Sequence, residues 1–86
     1  MIIEGNKYIW FELLVSFEKT QSWAVVNKSG GYHLGVILWY SGWRQYVFRS
    51  NENMEYNNSC LETITKFLTR LNTDKKIVSD SVNART

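Results

Sequence analysis

Apolar residues occupy every second position in a segment near the start of the chain. The odd-numbered positions between residues 8 and 17 are Ile9, Phe11, Leu13, Val15 and Phe17. This period of two predicts a β-strand over 8–17 whose odd-numbered face lies in a hydrophobic core. Shorter apolar segments at 23–27, 34–40 and 43–49 predict three more strands, and the glycine-containing loop K-S-G-G at 28–31 predicts a hairpin between two of them.

The period becomes helical after a polar loop at 50–58. The apolar residues Cys60, Leu61, Ile64, Phe67, Leu68 and Leu71 recur at spacings of three and four, which is typical of an amphipathic helix. Ser59 with Glu62 three residues later predicts a capping box at the helix start, and we expect the helix to end at Asn72. Residues 1–72 are therefore predicted to form a single domain, and the polar residues 73–86 a flexible tail.

This order of elements predicts the fold class α+β. Short connections favour strands that pair with their sequence neighbours, because long crossovers are not available. The apolar stripe of the helix needs a sheet face to cover it. We therefore expect a four-stranded antiparallel β-meander packed on one C-terminal α-helix, in the order ββββα.

The segment L-W-Y-S-G-W-R-Q-Y-V-F-R-S at 38–50 concentrates five aromatic residues and two arginines. The pair S-G at 41–42 predicts a two-residue hairpin loop, which places Tyr40 opposite Trp43 and Trp39 opposite Arg44. One face of the hairpin then carries Gly35, Ile37, Trp39, Arg44, Tyr46 and Phe48, and we assign this face to the helix side. The other face carries Val36, Leu38, Tyr40, Trp43, Gln45 and Val47. A loop one residue longer would exchange part of this membership.

The two faces of this hairpin predict different roles. On the first, the Phe48 ring can lie across the bare Gly35, and a cation can sit beside Trp39. The second face is apolar, although a sheet covered by a single helix should be polar on its open side. We expect this face to be covered by another copy of the chain, through the interface residues Val36, Leu38 and Val47.

Composition narrows the choice of partner and compartment. The single cysteine excludes an internal disulfide, which fits a reducing cytosol, and we expect the protein in the cytoplasm of a bacterial host cell. The first residues show no signal for secretion, and no segment approaches the roughly 20 apolar residues of a membrane span. A net charge of +2, with scattered charges, argues against duplex nucleic acid as the partner.

Catalytic and metal-binding chemistry have little support in the sequence. The only histidine, His33, has no carboxylate close to it in the chain, and no catalytic or phosphate-loop motif is present. Cys60 opens the helix on its apolar stripe, which favours an inert buried thiol over a reactive one. One cysteine and one histidine do not complete a zinc site. We therefore predict neither an enzyme nor a cofactor.

Aromatic rings beside cations are the remaining chemical signal. Trp and Tyr rings stack on nucleobases, and arginine binds phosphate through two parallel hydrogen bonds. Trp39 is suited equally to a core and to a binding site, whereas Tyr40, Trp43 and Arg44 at the turn favour binding. The same residue types also dominate protein–protein interfaces, so a protein partner stays open.

Three segments of the chain resemble a family of small proteins from phages and bacterial mobile elements. They are W-A-V-V-N at 23–27, L-G-V-I-L-W-Y-S-G-W-R-Q-Y-V-F at 34–48 and C-L-E-T-I-T-K-F-L-T-R-L at 60–71, which resemble W-x-x-x-N, L-G-x-I-x-W-Y-x-x-W-R-x-Y-x-F and C-L-x-x-I-x-x-F-L-x-x-L. The resemblance adds Asn27 to the candidate ligand-binding residues. The chain departs from the pattern where Val36 and Leu38 replace charged residues and where Ser50 or one of its neighbours replaces a proline.

These observations lead to two functional hypotheses. The first is a non-catalytic, phage-type anti-defence protein that sequesters a host nucleotide immune signal, as a homo-oligomer. Its ligand-binding residues would be Trp39, Tyr40, Trp43, Arg44 and Asn27. The alternative is an inhibitor or adaptor that places the same aromatic face on a host defence protein.

Overall fold

The computed structural model describes residues 1–77 of the chain. Its elements are β1 (Ile2–Glu4), β2 (Ile9–Ser16), β3 (Gln21–Asn27), β4 (His33–Tyr40), β5 (Gln45–Ser50) and α1 (Asn58–Asp74). The strands form one sheet in the order β1-β2-β3-β4-β5, and every neighbouring pair is antiparallel. The fold is therefore an antiparallel meander with one C-terminal helix.

The predicted number of four strands is wrong, because the sheet has five. The additional strand is β1, which pairs with β2 through Ile3 opposite Phe11. The N–H of Leu13 also donates to the carbonyl of Met1 at 2.9 Å. Three residues with the sequence I-I-E are too few to show a period of two, so pairing with β2, not local pattern, defines this strand.

Strand β2 changes its inward face partway along. Leu13 lies opposite Trp23 but Val15 lies opposite Ser22, so Leu14 is an extra residue in a β-bulge. A bulge reverses the alternation of side chains that follow it. Consequently Ile9 and Phe11 are buried as predicted, whereas Val15 is exposed, contrary to the prediction from the uninterrupted pattern.

The hydrophobic core lies between the sheet and the helix. Phe67 of the helix stacks on Phe11 with ring centroids 4.0 Å apart, and Trp23 meets Phe67 edge-on at 5.1 Å. The other buried members of this cluster include Ile9, Val25, Leu34, Ile37, Tyr46, Cys60, Ile64, Leu71 and Ile77. The predicted apolar stripe of the helix is confirmed at Cys60, Ile64, Phe67 and Leu71, and its member Leu61 is exposed.

The β4–β5 hairpin has a four-residue loop, 41–44, where the sequence predicted a loop of two. Tyr40 lies opposite Gln45 and Trp39 opposite Tyr46. The register therefore differs from the predicted one by two residues. Because side chains alternate with a period of two, this shift keeps strand residues on their predicted faces. Trp43 and Arg44 leave the strand and enter the loop.

Gly35 is covered by Phe48, as predicted, although the two residues are not directly opposed. Gly35 lies opposite Ser50 in the ladder. A Cβ atom added to Gly35 would lie 2.8 Å from Cε1 of Phe48 and 2.5 Å from the carbonyl oxygen of Arg49. The ring therefore crosses the bare glycine diagonally, and only a residue without a side chain leaves it room.

The N-cap of the helix lies two residues before the predicted one. Asn57 is the N-cap, and its Oδ1 accepts a hydrogen bond from the N–H of Cys60 at 2.8 Å. Asn caps a helix as well as Ser does, so composition alone did not distinguish them. The predicted cap at Ser59 is therefore wrong; the Oγ of Ser59 instead accepts from Nδ2 of Asn6, in the β1–β2 turn, at 2.9 Å.

The helix ends at Asp74, followed by Lys75 with a positive φ of 69°. The N–H of Lys75 donates to the carbonyl of Leu71 at 2.6 Å and closes the last turn. Ile77 is buried in the core. The predicted domain boundary at residue 72 thus precedes the last buried side chain that is described. Residues 78–86, most of the predicted tail, lie outside the described residues.

Candidate functional site

Four segments meet at one end of the molecule, which we call the hairpin end. They are the β2–β3 turn at 17–20, the end of β4, the β4–β5 loop at 41–44 and the segment 75–77 after the helix. Nζ of Lys76 donates to the carbonyl of Glu18 at 3.3 Å and joins two of these segments. The hairpin end contains four of the five predicted ligand-binding residues.

Two buried polar side chains fix the C-terminal segment at the hairpin end. Nε2 of Gln21 donates to the carbonyl of Ile77 at 2.9 Å, and Oε1 accepts from the N–H of Ile77 at 2.9 Å. The same Oε1 accepts from Nε1 of Trp23 at 3.1 Å. Gln21 therefore pairs with both backbone groups of Ile77, as a neighbouring strand would.

Tyr46 is the second of these anchors. Its hydroxyl accepts from the N–H of Gln21 at 3.0 Å and donates to the carbonyl of Lys75. Burial raises the pKa of Tyr46 above its ordinary value of 10.0, and the hydrogen bond from Gln21 opposes part of that rise. The phenol is therefore neutral at physiological pH and can both donate and accept.

Asn72 adds a further link between the helix and the edge strand β5. Oδ1 of Asn72 accepts from the N–H of Tyr46 at 2.6 Å, and Nδ2 donates to the carbonyl of Tyr46 at 3.4 Å. Both backbone groups of Tyr46 that point away from β4 are therefore taken. Together with the bonds of Gln21 and of the Tyr46 hydroxyl, these hydrogen bonds hold the segments of the hairpin end in fixed positions.

Trp39 is the half-buried centre of the hairpin end. Its ring meets Tyr46 edge-on with centroids 5.4 Å apart, and Nζ of Lys75 lies 4.7 Å from the ring centroid. The predicted cation beside Trp39 was Arg44, which the longer loop moves out of the opposing position. Lys75 supplies that cation instead, at a distance typical of a cation–π contact.

A cleft of about 380 Å³ opens beside Trp39. Its lining residues are Phe17, Thr20, Gln21, Ser22, Leu38 and Trp39. Phe17 is 54% exposed, so one open aromatic ring and one half-buried ring border the same space. The cleft contains hydroxyl and amide groups as well, and this combination suits a planar ligand with polar edges.

The loop beyond the cleft carries the other predicted aromatic residues. Trp43 is 68% exposed, and its ring meets Tyr40 edge-on at 5.3 Å. The Tyr40 ring lies over Gly42, where an added Cβ would come within 2.7 Å of Cζ. Arg44 is exposed and has a φ of 55°, a conformation that costs a non-glycine residue about 1–2 kcal/mol.

Asn27 does not lie with the other four predicted binding residues. It ends β3 at the opposite end of the sheet. Its Nδ2 donates to the hydroxyl of Tyr32 at 2.9 Å, and its Oδ1 accepts from the N–H of Ser29 at 2.7 Å. These bonds hold the β3–β4 loop, and they account for the asparagine structurally. A separate cleft of about 320 Å³ at that end includes Asn27, Tyr8 and Cys60 in its lining.

Cations outnumber carboxylates at the hairpin end. The cationic residues of its segments and their neighbours are Lys19, Arg44, Lys75 and Lys76, and the acidic ones are Glu18 and Asp74. Sequence reasoning missed Phe17 and Lys75 as members of this site. Phe17 followed the alternation that assigned it to the core, and Lys75 fell in the segment predicted to be a tail, so neither carried a local signal.

The predicted interface residues Val36, Leu38 and Val47 lie on the sheet face away from the helix, which we call the outer face. Their chain neighbours Ile37 and Tyr46 are in the core, and successive strand residues point to opposite faces. All three are half-buried. The outer face also includes Ala24 and Val26, which neighbouring side chains bury, so it is apolar across several strands.

Residues 1–77 contain neither a cluster of metal-ligating side chains nor a helix suited to cross a membrane. Within residues 1–77, no three His, Cys, Asp or Glu side chains lie close enough together to hold a metal ion. No helix in this part of the chain is long and apolar enough to cross a membrane. His33 is exposed, and Cys60 is buried.

Fold and site together define a small antiparallel-sheet protein with one covering helix and an aromatic, cationic end. Over 77 residues the chain is 31% identical to the "Uncharacterized 9.3 kDa protein" of Acholeplasma phage L2, with 88% of this chain and 99% of that protein covered. The chain therefore belongs to the family of that phage protein, and the expected phage-type origin is confirmed at this level. No protein-family model and no solved structure matches the chain.

Proposed function

We propose that this protein is a non-catalytic, phage-type anti-defence protein that binds and sequesters a host nucleotide immune signal at the hairpin end. It would act as a homo-oligomer in the host cytoplasm, within the phage group that shares the aromatic motif at 34–48. The observation that carries the proposal is the cleft between Phe17 and Trp39 with Lys75 over the indole ring.

The chemistry of this cleft matches the parts of a nucleotide. A base inserted beside Trp39 gains stacking of about 1–3 kcal/mol for each aromatic contact. The hydroxyl of Thr20 offers a hydrogen bond to the edge of a base. The phosphate groups of the bound nucleotide would extend out of the cleft and meet two cations. These are Lys75, which lies beside the Trp39 ring, and Arg44 in the adjoining loop.

The loop residues extend the same surface. Tyr40 and Trp43 hold each other edge-on next to the cleft, so a second base or a ribose has an aromatic wall to lie against. Binding without turnover accounts for the proposed activity, since a protein that removes a signal from solution needs affinity and no chemical step.

Calorimetric titration with a panel of linear and cyclic nucleotides tests this proposal. We expect one or more of them to bind, and Phe17→Ala to weaken binding by roughly 5- to 150-fold, equivalent to about 1–3 kcal/mol. Lys75→Gln should weaken phosphate-bearing ligands and leave the free nucleoside unchanged. Trp43→Ala should lower affinity without lowering stability, because this side chain is 68% exposed.

A matched control lies at the opposite end of the sheet. Nζ of Lys7 is 5.2 Å from the ring centroid of Tyr8, so Tyr8→Ala and Lys7→Gln remove an equivalent aromatic and cation. These changes should leave nucleotide binding intact. Failure of the whole panel to bind the folded wild-type protein, or an equal loss in Tyr8→Ala, would refute the proposed site.

A protein-binding inhibitor or adaptor is the second candidate function. The 68% exposure of Trp43 favours it, because Trp and Arg are the residues that most often anchor protein interfaces. Affinity capture from host lysate in nucleotide-free buffer separates the two. A stoichiometric host protein retained by the wild type and lost with Trp43→Ala would support this function over sequestration.

A further inference from the structure

One row of residues crosses the outer face from β2 to β5. Its members, each opposite the next in the sheet register, are Glu12, Ala24, Val36 and Arg49. The row thus has an acid at one end, two apolar residues in the middle and a base at the other end. Among residues 1–77 the only ion pair joins Lys28 and Glu4, so neither Glu12 nor Arg49 has an ionic partner within the described part of the chain.

The next row towards the hairpin end contains three apolar residues and one serine. Val15 lies opposite Ser22, and Leu38 lies opposite Val47. Val15 reaches this face only because of the bulge in β2, and it is 44% exposed there. The face is therefore apolar through its centre and carries opposite charges at its two sides.

We propose that two copies of the chain pack outer face on outer face, about a two-fold axis that runs parallel to the strands between Ala24 and Val36. This rotation exchanges β3 with β4 and β2 with β5. It places Glu12 of each copy over Arg49 of the other, and Ala24 over Val36. The proposal specifies how the homo-oligomer of the proposed function is assembled. It rests on that part of the proposed function alone and does not depend on the ligand.

The charge pattern selects this axis over the other simple two-fold arrangement. An axis perpendicular to the strands would place each strand over its own copy, so Glu12 would face Glu12 and Arg49 would face Arg49. Like charges in an interface are costly, whereas a closed two-fold interface is favoured when a patch is complementary to itself. The parallel axis creates two reciprocal ion pairs and avoids both repulsions.

The same rotation also brings together the residues of the second row. It lays Val15 over the partner's Val47, an apolar pair, and the small Ser22 over the larger Leu38 of the partner subunit. Sheets that pack face to face keep their strands within about 30° of each other, which this axis permits.

The area of the face fits a reversible dimer. The four strands that this axis exchanges, β2 to β5, have six to eight residues each. At about 4.8 Å between strands and roughly 3.3 Å for each residue, they give a face of about 460 Å². Two such faces bury roughly 900 Å² in total, close to the approximately 1,000 Å² expected of a specific interface and in the range of weak, reversible ones.

Sedimentation equilibrium without nucleotide tests the dimer. We expect the wild type to sediment as a dimer. Glu12→Arg alone and Arg49→Glu alone should each raise the dimer dissociation constant at least about tenfold, since both ion pairs become repulsive. The double variant Glu12→Arg/Arg49→Glu should restore dissociation to within about threefold of the wild type, because the pairs re-form with exchanged signs.

Two further variants control for effects on folding and on total charge. Val36→Lys at the centre should give a monomer with an unchanged circular dichroism spectrum, and Glu62→Arg/Arg70→Glu exchanges charges on the exposed helix surface and should leave the dimer intact. A wild type that stays monomeric at millimolar concentration would overturn the proposal, as would a double variant no better than the single ones. Because Ser22 and Leu38 line the cleft and also lie in the dimer contact, nucleotide binding is measured separately, on the monomeric Val36→Lys variant as well as on the wild type.

Discussion

Replacing Tyr46 with phenylalanine removes one oxygen atom that joins three segments of the chain. The ring stays, and with it the edge contact to Trp39 and the burial of apolar surface. What is lost is the hydrogen bond from the N–H of Gln21 at 3.0 Å and the bond to the carbonyl of Lys75. Both backbone groups are then left without this partner at a buried site.

The size of the effect follows from these two bonds. A buried backbone group left unpaired costs about 1–3 kcal/mol, and two neighbouring groups that relax together should cost roughly 2–3 kcal/mol. For a domain of this size each kcal/mol lowers the melting temperature by about 4–8 °C, so we expect a decrease of roughly 8–24 °C. Urea unfolding followed by tryptophan fluorescence measures the free energy directly.

The pH dependence provides an independent check on the same oxygen. Burial raises the pKa of Tyr46 in the folded state above 10.0, whereas the unfolded chain keeps the ordinary value. The stabilisation that the neutral phenol contributes is therefore fully present below about pH 10, and it is lost as the pH rises through the folded-state pKa. The difference between the wild type and Tyr46→Phe should accordingly shrink above pH 10.

Tyr8→Phe is the matched control, because Tyr8 is 42% exposed and lies at the other end of the sheet. It should change the free energy of unfolding by less than about 0.5 kcal/mol. A loss in Tyr46→Phe no larger than in this control would refute the reasoning. So would a wild type and a Tyr46→Phe variant that lose stability in parallel above pH 10.

Three further substitutions test local features of the fold by the same unfolding assay. Gly35→Ala should destabilise by roughly 2–3 kcal/mol, because the added Cβ meets backbone 2.5 Å away; a neutral effect would contradict the close packing. Arg44→Gly should stabilise by about 0.5–1 kcal/mol by removing the strain at a φ of 55°, and a loss of stability would count against that account. Asn57→Ala should cost about 1 kcal/mol and more than Ser59→Ala; the reverse order would restore Ser59 as the helix cap.

Periodicity predicted those parts of the fold in which one side-chain repeat runs unbroken. The helix stripe through Ile64, Phe67 and Leu71 and the inward positions Ile9 and Phe11 follow directly from it. A repeat carries no information about one added residue. The bulge at Leu14 therefore reversed the exposure of Val15 without any warning in the pattern.

The parts that were not predicted depend on contacts between distant segments. Strand β1 exists because β2 is there to pair with it, and the segment at 75–77 is ordered because Gln21 takes both backbone groups of Ile77. The same dependence explains why only part of the candidate site was predicted from the sequence. Trp39 stood out by its residue type, whereas Lys75 acquires its position beside the ring only through the folded chain.

The hydrogen bonds between Asn72 and Tyr46 protect part of the edge strand β5 from pairing with a strand of another chain. The outermost strand of an open sheet is a template on which another chain can add, one strand after another, into a fibre. At Tyr46 the carboxamide of Asn72 already occupies both groups that an incoming strand would need. The Asn72 side chain thus takes the place of a sixth strand at this position, so strand addition along this part of β5 is blocked, and the proposed two-fold contact uses the face of the sheet instead of its edge.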